Sequence, residues 1–332
     1  MSHYAVIGAG SWGTTVASLI ARSEPTVLWA RRSELAEAIQ QTRMNTDYLP
    51  SYQLPPRLEA TSDMRAAVEG ASVVIVGVPS HGFREVFNEA AKWIEPSTPV
   101  VSLTKGVEEE TLETMTQIVA DVAPRHDAER TGMLTGPNLA SEIVDGQPTA
   151  AVIAMRDQDS ARQIQHVLIG PAFRVYTNDD VIGCELSGAM KNVMAIAAGM
   201  SDGLGFGDNT RATLITRALA ELTRLGVKAG GRPATFAGLA GMGDLIATCS
   251  SPKSRNHKVG MSLAEGRTLE QTIREMRMVA EGVKSTRGVL GLAERHGVEM
   301  PIAQHVGHVL YDGLDPKDAV LSLMTREPKA EH

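Results

Sequence analysis

Three stretches of the 332-residue chain hold residues whose types and spacing could do chemistry. The first is residues 181–201, VIGCELSGAMKNVMAIAAGMS, almost entirely apolar or small, with only Glu185 and Lys191 charged. At helical period Ser187, Gly188, Lys191, Ala195 and Ala198 share one face, and most are small enough to let another backbone or a ligand approach. An ammonium in such a helix must meet a partner or lose its proton. Taken alone, Lys191 reads as a packed stem whose head reaches water; its surroundings in the chain change that reading. The second stretch is GLAGMGDL, residues 238–245, a glycine-rich loop closing on Asp244 and followed by Thr248. Directly after it, SSPKSRNHK (residues 250–258) sets Lys253, Arg255 and Lys258 among short polar side chains. A forked guanidinium with hydroxyl and amide donors could bind a phosphate there, although most strings of this kind are solvated loops.

The third stretch is at the N-terminus. A short apolar run over residues 4–7 breaks into Gly8-Ala9-Gly10-Ser11-Trp12-Gly13, and a helical pattern continues to about residue 22. This is GxGxxG between a strand and a helix, the context that gives the motif weight as a dinucleotide site. Glycines permit the turn and a close approach to pyrophosphate, and the helix N-terminus offers N–H groups and a partial positive charge. The next strand, residues 26–30, ends in Arg31-Arg32. An NAD-specific site usually places Asp or Glu at that strand end, whereas guanidinium groups suit a 2′-phosphate, so NADP is the preferred cofactor with NAD possible.

These residues need a scaffold, and the pattern supplies one. Residues 44–56, with three prolines, read as a loop. Strand patterns recur at 72–78, 100–103, 150–154 and 173–176, alternating with helical segments, which predicts a doubly wound, mostly parallel sheet of the Rossmann kind. Ligands sit at strand carboxyl ends in such sheets, and Lys105 and Asn138 lie at two of them. From Val181 onward strand signals stop; helical patterns run over 210–225, 269–278, 285–296 and 302–311. The expected organisation is therefore α/β, with a dinucleotide-binding domain over 1–179 and an all-α substrate and catalytic domain over 180–332. VAEG, residues 279–282, reads as a helix exit.

Composition narrows the function classes. The chain is 43% hydrophobic and 21% charged, with a net charge of -7 and a pI near 5.8. No global basic field exists to collect nucleic acid, so any anion must be held locally. Cys184 and Cys249 are too few for a disulfide framework, which fits a reducing compartment. No signal peptide is read at the N-terminus, and the Lys191 helix reads as too short and too polar for a membrane span. A cytoplasmic protein without membrane or nucleic-acid partners is expected. The nine histidines show no metal spacing, so no metal site is expected; His305 and His308 read as surface or interface.

In this order the elements resemble the soluble NAD(P)-dependent glycerol-3-phosphate dehydrogenases of bacteria, over nearly the whole chain. The resemblance rests on GAGSWGT (8–14), VPSH (78–81), TKG (104–106), GPN (136–138), FRVY (173–176), GAMKNVMAIAAGMSDGLGFGDN (188–209), GLAGMGDLIATC, KSRN and VAEG. It implies Lys191 as proton donor and acceptor at the substrate C2 oxygen, with Asn192 beside it and Thr248 near the reacting carbon. It implies Lys105, Gly136, Asp244, Ser254, Arg255 and Asn256 as contacts of dihydroxyacetone phosphate or glycerol 3-phosphate. Asn138 joins them as a candidate, standing where many relatives carry Ser or Thr. It implies Ser11, Trp12, Arg31, Arg32, Lys105, Ala140, Arg255, Val279 and Glu281 as dinucleotide contacts, beside Gly8, Gly10 and Gly13. The resemblance also implies a homodimer. Chemistry agrees: ketone reduction needs a proton for the developing alkoxide, and a lysine can give and retake it. Asp244 would orient the ammonium or the substrate hydroxyls, and Arg255 would pair with the phosphate. Two other readings are a related two-domain β-hydroxyacid dehydrogenase and a non-catalytic dinucleotide sensor.

Overall fold

The computed structural model describes residues 2–276, 280–327 and 330. The chain divides into two compact units, Met1–Lys105 with Glu113–Glu185, and Gly106–Leu112 with Leu186–His332.

The first unit is built on an eight-stranded sheet. In spatial order its strands are Phe173–Asn178, Thr149–Met155, Thr131–Thr135, Val100–Ser102, Ala71–Val76, His3–Ile7, Thr26–Trp29 and Leu58–Thr61. Neighbours are parallel except Thr131–Thr135 with Thr149–Met155, so Thr149–Met155 and Phe173–Asn178 run against the other six. The strands read as continuous apolar runs because both faces are covered. Val6, Val73 and Ile75 pack on one face with Leu19, Ile39 and Ile164, while Ala5, Ile7, Val74 and Val76 pack on the other with Phe83, Phe87 and Ile118. Sheet alternation sends neighbouring residues of one strand into opposite layers.

Two edge elements escaped the sequence pattern. Residues 44–56, read as a loop, carry a small antiparallel pair, Met44–Asn45 with Leu49–Gln53. Leu58–Thr61, which had no distinct strand signal, is the sheet's edge. Pro50 is tolerated because an edge strand has an unpaired side.

From Leu186 onward the second unit is helical, with no strand among its described residues. Its central element is Val181–Gly203, which begins in the first unit and runs on through Lys191. At 23 residues, with an 18-residue window of mean hydropathy 1.2, it is long and apolar enough to cross a membrane, contrary to the sequence reading, but 89% of that window is buried within the protein. What sets it apart from an exposed span is burial rather than length. Helix Arg255–Ala264 lies directly on it: a Cβ on Gly199 would sit 1.9 Å from the His257 carbonyl oxygen, and one on Gly260 2.0 Å from that of Ile196. Only glycine allows backbones that close. The glycine-rich stretch read as a loop is instead a π-helical turn, Leu239–Gly243, running straight into helix Asp244–Ser250. Helices Asp208–Lys228, Glu281–Arg295 and Pro301–Tyr311 complete the surroundings. Helix Leu269–Glu275 falls within the expected 269–278 segment, whose last two residues lie outside the described ones. The Ala280-Glu281 pair opens a helix rather than ending one, with Ala280 in the N-cap position.

Candidate active site

In the sheet unit the candidate cofactor-binding residues begin at the turn after His3–Ile7. Gly8 has φ +115, and a Cβ there would lie 2.6 Å from the Gly77 carbonyl oxygen, so the turn demands glycine. At Gly10 a Cβ would meet no atom within 4 Å, which leaves an open cradle over the start of helix Ser11–Ile20. No side chain caps that helix, and no acid lies in its first turn. A helix N-terminus without a side-chain cap, beside an open glycine, is the donor set a pyrophosphate takes. The indole Nε1 of Trp12 is buried without a hydrogen-bond partner, a donor that a bound ligand can satisfy. These features fit a dinucleotide.

The hairpin missed by pattern reading holds this turn in place. Asn45 is fully buried and donates from Nδ2 to the Ala9 carbonyl at 2.9 Å and to Thr14 Oγ1 at 2.8 Å. Ser11 Oγ donates to the Tyr48 carbonyl at 3.3 Å. Arg31 and Arg32 are exposed beyond the end of strand Thr26–Trp29, and Arg32 forms an ion pair with Asp47 of the hairpin. Farther along the sheet, Lys105 Nζ donates to the Gly136 carbonyl at 3.1 Å. Gly136 turns with φ +126, and both amide atoms of Asn138 are buried without partners. The structure thus brings Lys105, Gly136 and Asn138 into one neighbourhood, with Ala140 opening the short helix Ala140–Val144 just beyond.

In the helical unit the central feature is Lys191. Its side chain is 9% exposed; Nζ donates to Asp244 Oδ1 at 2.8 Å and to Thr248 Oγ1 at 2.6 Å. Asp244 and Thr248 are one helical turn apart on Asp244–Ser250, so i,i+4 spacing puts both acceptors on one face. Thr248 donates its own proton to the Asp244 carbonyl at 2.7 Å, which turns its lone pairs towards the lysine. Two of the ammonium's three N–H bonds are fixed in this way; the third is the one a ligand oxygen can receive. Cys249, the next residue, is buried, and that burial pushes its thiol up to about 12.

Asn192, next to Lys191, has a structural partner. Asn256 donates from Nδ2 to Asn192 Oδ1 at 2.9 Å and accepts from the Gly282 N–H at 2.9 Å. One amide therefore joins three helices. Ser254 caps helix Arg255–Ala264 by accepting from the His257 N–H at 3.3 Å. Arg255, the first residue of that helix, is exposed, and the packing around it lowers its guanidinium pKa while Glu281 acts against the shift. Val279, a dinucleotide contact implied by the resemblance, lies outside the described residues. His257, for which the sequence pattern suggested no role, bonds through Nε2 to Asp202 at 2.8 Å and so ties this helix again to Val181–Gly203. A cavity of about 620 Å³ elsewhere in the unit, lined by Ser201, Leu214, Glu221, Ile302 and His305 among others, holds none of Lys191, Asp244 or Thr248. Among the described residues no group of His, Cys, Asp and Glu could hold a metal ion.

A glycine-turn sheet unit joined to a helical unit with a buried Lys–Asp–Thr group defines a dinucleotide-binding α/β protein of the two-domain dehydrogenase class. Comparison with known proteins narrows this. Residues 3–161 match the model for the N-terminus of NAD-dependent glycerol-3-phosphate dehydrogenase, and residues 180–321 match that for its C-terminus. The chain is 56% identical over 301 residues to a glycerol-3-phosphate dehydrogenase (NAD(P)+) of Sphingopyxis alaskensis, covering 91% of this chain and 90% of that protein. It is 50% identical to one from Streptomyces griseus, with 98% and 97% covered. The crystal structure of glycerol-3-phosphate dehydrogenase from Coxiella burnetii superposes with a TM-score of 0.94 at 38% identity, with 98% and 99% covered. The chain belongs to the NAD-dependent glycerol-3-phosphate dehydrogenase family.

Proposed function

We propose that this protein reduces dihydroxyacetone phosphate to sn-glycerol 3-phosphate with NADPH or NADH, reversibly, and so supplies glycerophospholipid synthesis. The observation that carries the reading is Lys191, buried and held at 2.8 Å by Asp244 and 2.6 Å by Thr248, in a chain of this family. When bound, the nicotinamide cofactor supplies or takes the hydride.

The chain's own residues do the rest. Lys191 gives a proton from Nζ to the C2 oxygen as the ketone becomes an alkoxide, and takes it back in the reverse direction. Asp244 and Thr248 fix where that proton points, so no rotamer search precedes transfer. Arg255 pairs with the substrate phosphate through its forked N–H groups, and Ser254, Asn256, Lys105, Gly136 and Asn138 complete the substrate contacts. Holding the phosphate secures the reacting carbon, so remote binding energy lowers the barrier. Gly8, Gly10, Ser11, Trp12, Gly13, Arg31, Arg32, Ala140 and Glu281 serve the dinucleotide. Residues 1–179 act as the cofactor domain and residues 180–332 as the substrate domain, in a cytoplasmic homodimer.

The test is an absorbance assay of NADPH and NADH consumption with dihydroxyacetone phosphate, run beside β-keto acids. Turnover with the phosphate ester alone is expected. Activity confined to the acids would replace this reading with a hydroxyacid dehydrogenase, and cofactor binding without turnover would leave a dinucleotide sensor.

A further inference from the structure

We propose that Asp47 sets the balance between NAD(H) and NADP(H) by competing with a 2′-phosphate for the guanidinium of Arg32. This rests on the cofactor assignment above and adds a residue to it. Where the second strand of a dinucleotide fold ends, an acid selects the ribose diol and an arginine selects the 2′-phosphate. Here the strand end, through Arg31-Arg32, carries the arginines, and the hairpin brings the acid to Arg32.

The pairing is built into the fold. Exposed ion pairs often mean little because both side chains wander. Asp47, however, lies in a turn closed by the Tyr48 N–H on the Asn45 carbonyl at 3.2 Å. Two residues before it, Asn45 is buried and bonded to Ala9 and Thr14 of the glycine turn. One residue after it, the Tyr48 carbonyl accepts from Ser11. Asp47 is therefore held in register with the pyrophosphate turn itself. On the other side, the N-cap position at helix Ser33–Thr42 sets the Arg32 backbone, and its side chain makes no cap bond there. The other titratable groups acting on Arg32 are Tyr48 of the hairpin and Glu34, the latter in that helix's first turn. Arg31 points elsewhere: its Nη2 would lie 3.7 Å from a Cβ on Gly82.

With NADP(H), a 2′-phosphate of roughly two negative charges must displace Asp47 from Arg32 and sit beside its carboxylate. With NAD(H), the same carboxylate accepts from a ribose hydroxyl in a charge-assisted hydrogen bond. One acid thus disfavours one cofactor and favours the other, leaving an enzyme able to use both.

The experiment compares kcat/KM for NADPH and NADH in the parent, Asp47→Asn, Arg32→Ala and the double variant, at saturating dihydroxyacetone phosphate. Asp47→Asn should raise the NADPH:NADH ratio about tenfold, the scale of one charge-assisted hydrogen bond. In the Arg32→Ala background the gain with NADPH should shrink severalfold, since competition for the guanidinium is gone and only the carboxylate's direct repulsion of the phosphate is left. A ratio in Asp47→Asn within about twofold of the parent overturns the proposal. If the parent oxidises neither cofactor, the functional reading fails separately; the ratio of NADP+ to NAD+ dissociation constants, titrated by tryptophan fluorescence, should then fall about tenfold in Asp47→Asn, and a change within about twofold overturns the proposal.

Discussion

Glu221 offers a perturbation whose size follows from the structure. It lies in helix Asp208–Lys228, is 4% exposed, and accepts from the Ile302 N–H at 2.9 Å and the Ala303 N–H at 3.4 Å, at the start of helix Pro301–Tyr311. Burial raises its pKa from 4.5 to about 7, although the two N–H donors and the charges of Arg224 and Arg217 act against the rise. An acid whose folded pKa is raised holds its proton more tightly when folded, so its stabilising contribution is complete below pH 4.5 and is lost as pH rises towards 7. At about 1.4 kcal/mol per pH unit, the loss is roughly 3 kcal/mol. Glu221→Gln keeps an acceptor for Ile302 and removes the charge, so it imitates the protonated acid. The variant should match the parent near pH 5 and exceed it at pH 8 by up to roughly 3 kcal/mol. For a unit of this size that is a rise in Tm of several degrees, at about 2–4 °C per kcal/mol. The assay is thermal unfolding of both proteins at pH 5 and pH 8. An equal Tm difference at both pH values, or a parent that is the more stable at pH 8, would refute the reasoning.

Other expectations concern the site and its supports. Lys191→Met should lower kcat by a factor of about 10² or more while NADPH binding, measured by fluorescence, stays intact. Asp244→Ala should both stop turnover and lower stability by about 3–5 kcal/mol in denaturant titration, because it leaves a buried ammonium without its counter-charge. Gly260→Ala should lower Tm, since the added Cβ would lie 2.0 Å from the Ile196 carbonyl oxygen and must push two helices apart. Cys184 and Cys249 are both buried, and the thiol of Cys249 is pushed up to about 12; iodoacetamide at pH 8 should label neither in the native protein and both after denaturation. Rapid native labelling of Cys249 would show that the Lys191 neighbourhood opens readily.

Local patterns disclosed much of this molecule because they are local physics. The GxGxxG turn is legible since steric freedom at Gly8 and an uncapped helix start are properties of consecutive residues. Strand runs such as residues 72–78 are legible because a strand buried on both faces has no polar side to interrupt it. The segment around Lys191 is recognisable as a helix with a small-residue face, and the order of motifs points to the family. What the chain order could not supply was pairing across distance. Fifty-three residues separate Lys191 from Asp244, and only folding decides that they meet at 2.8 Å. Ala280-Glu281 look like a helix end because glycine follows the acid, yet they open a helix whose Gly282 packs against Asn192 and Asn256. The proline-bearing stretch after Met44 lacks alternation, so its pairing and its grip on the glycine turn come from Asn45 finding Ala9 and Thr14. Sequence alone thus determined the residue types and the elements that carry them, because turns, caps and periodicity are set within a few residues. The tertiary structure decided which groups share a proton, a charge or a hydrogen bond, because those depend on distances that only the packed chain defines.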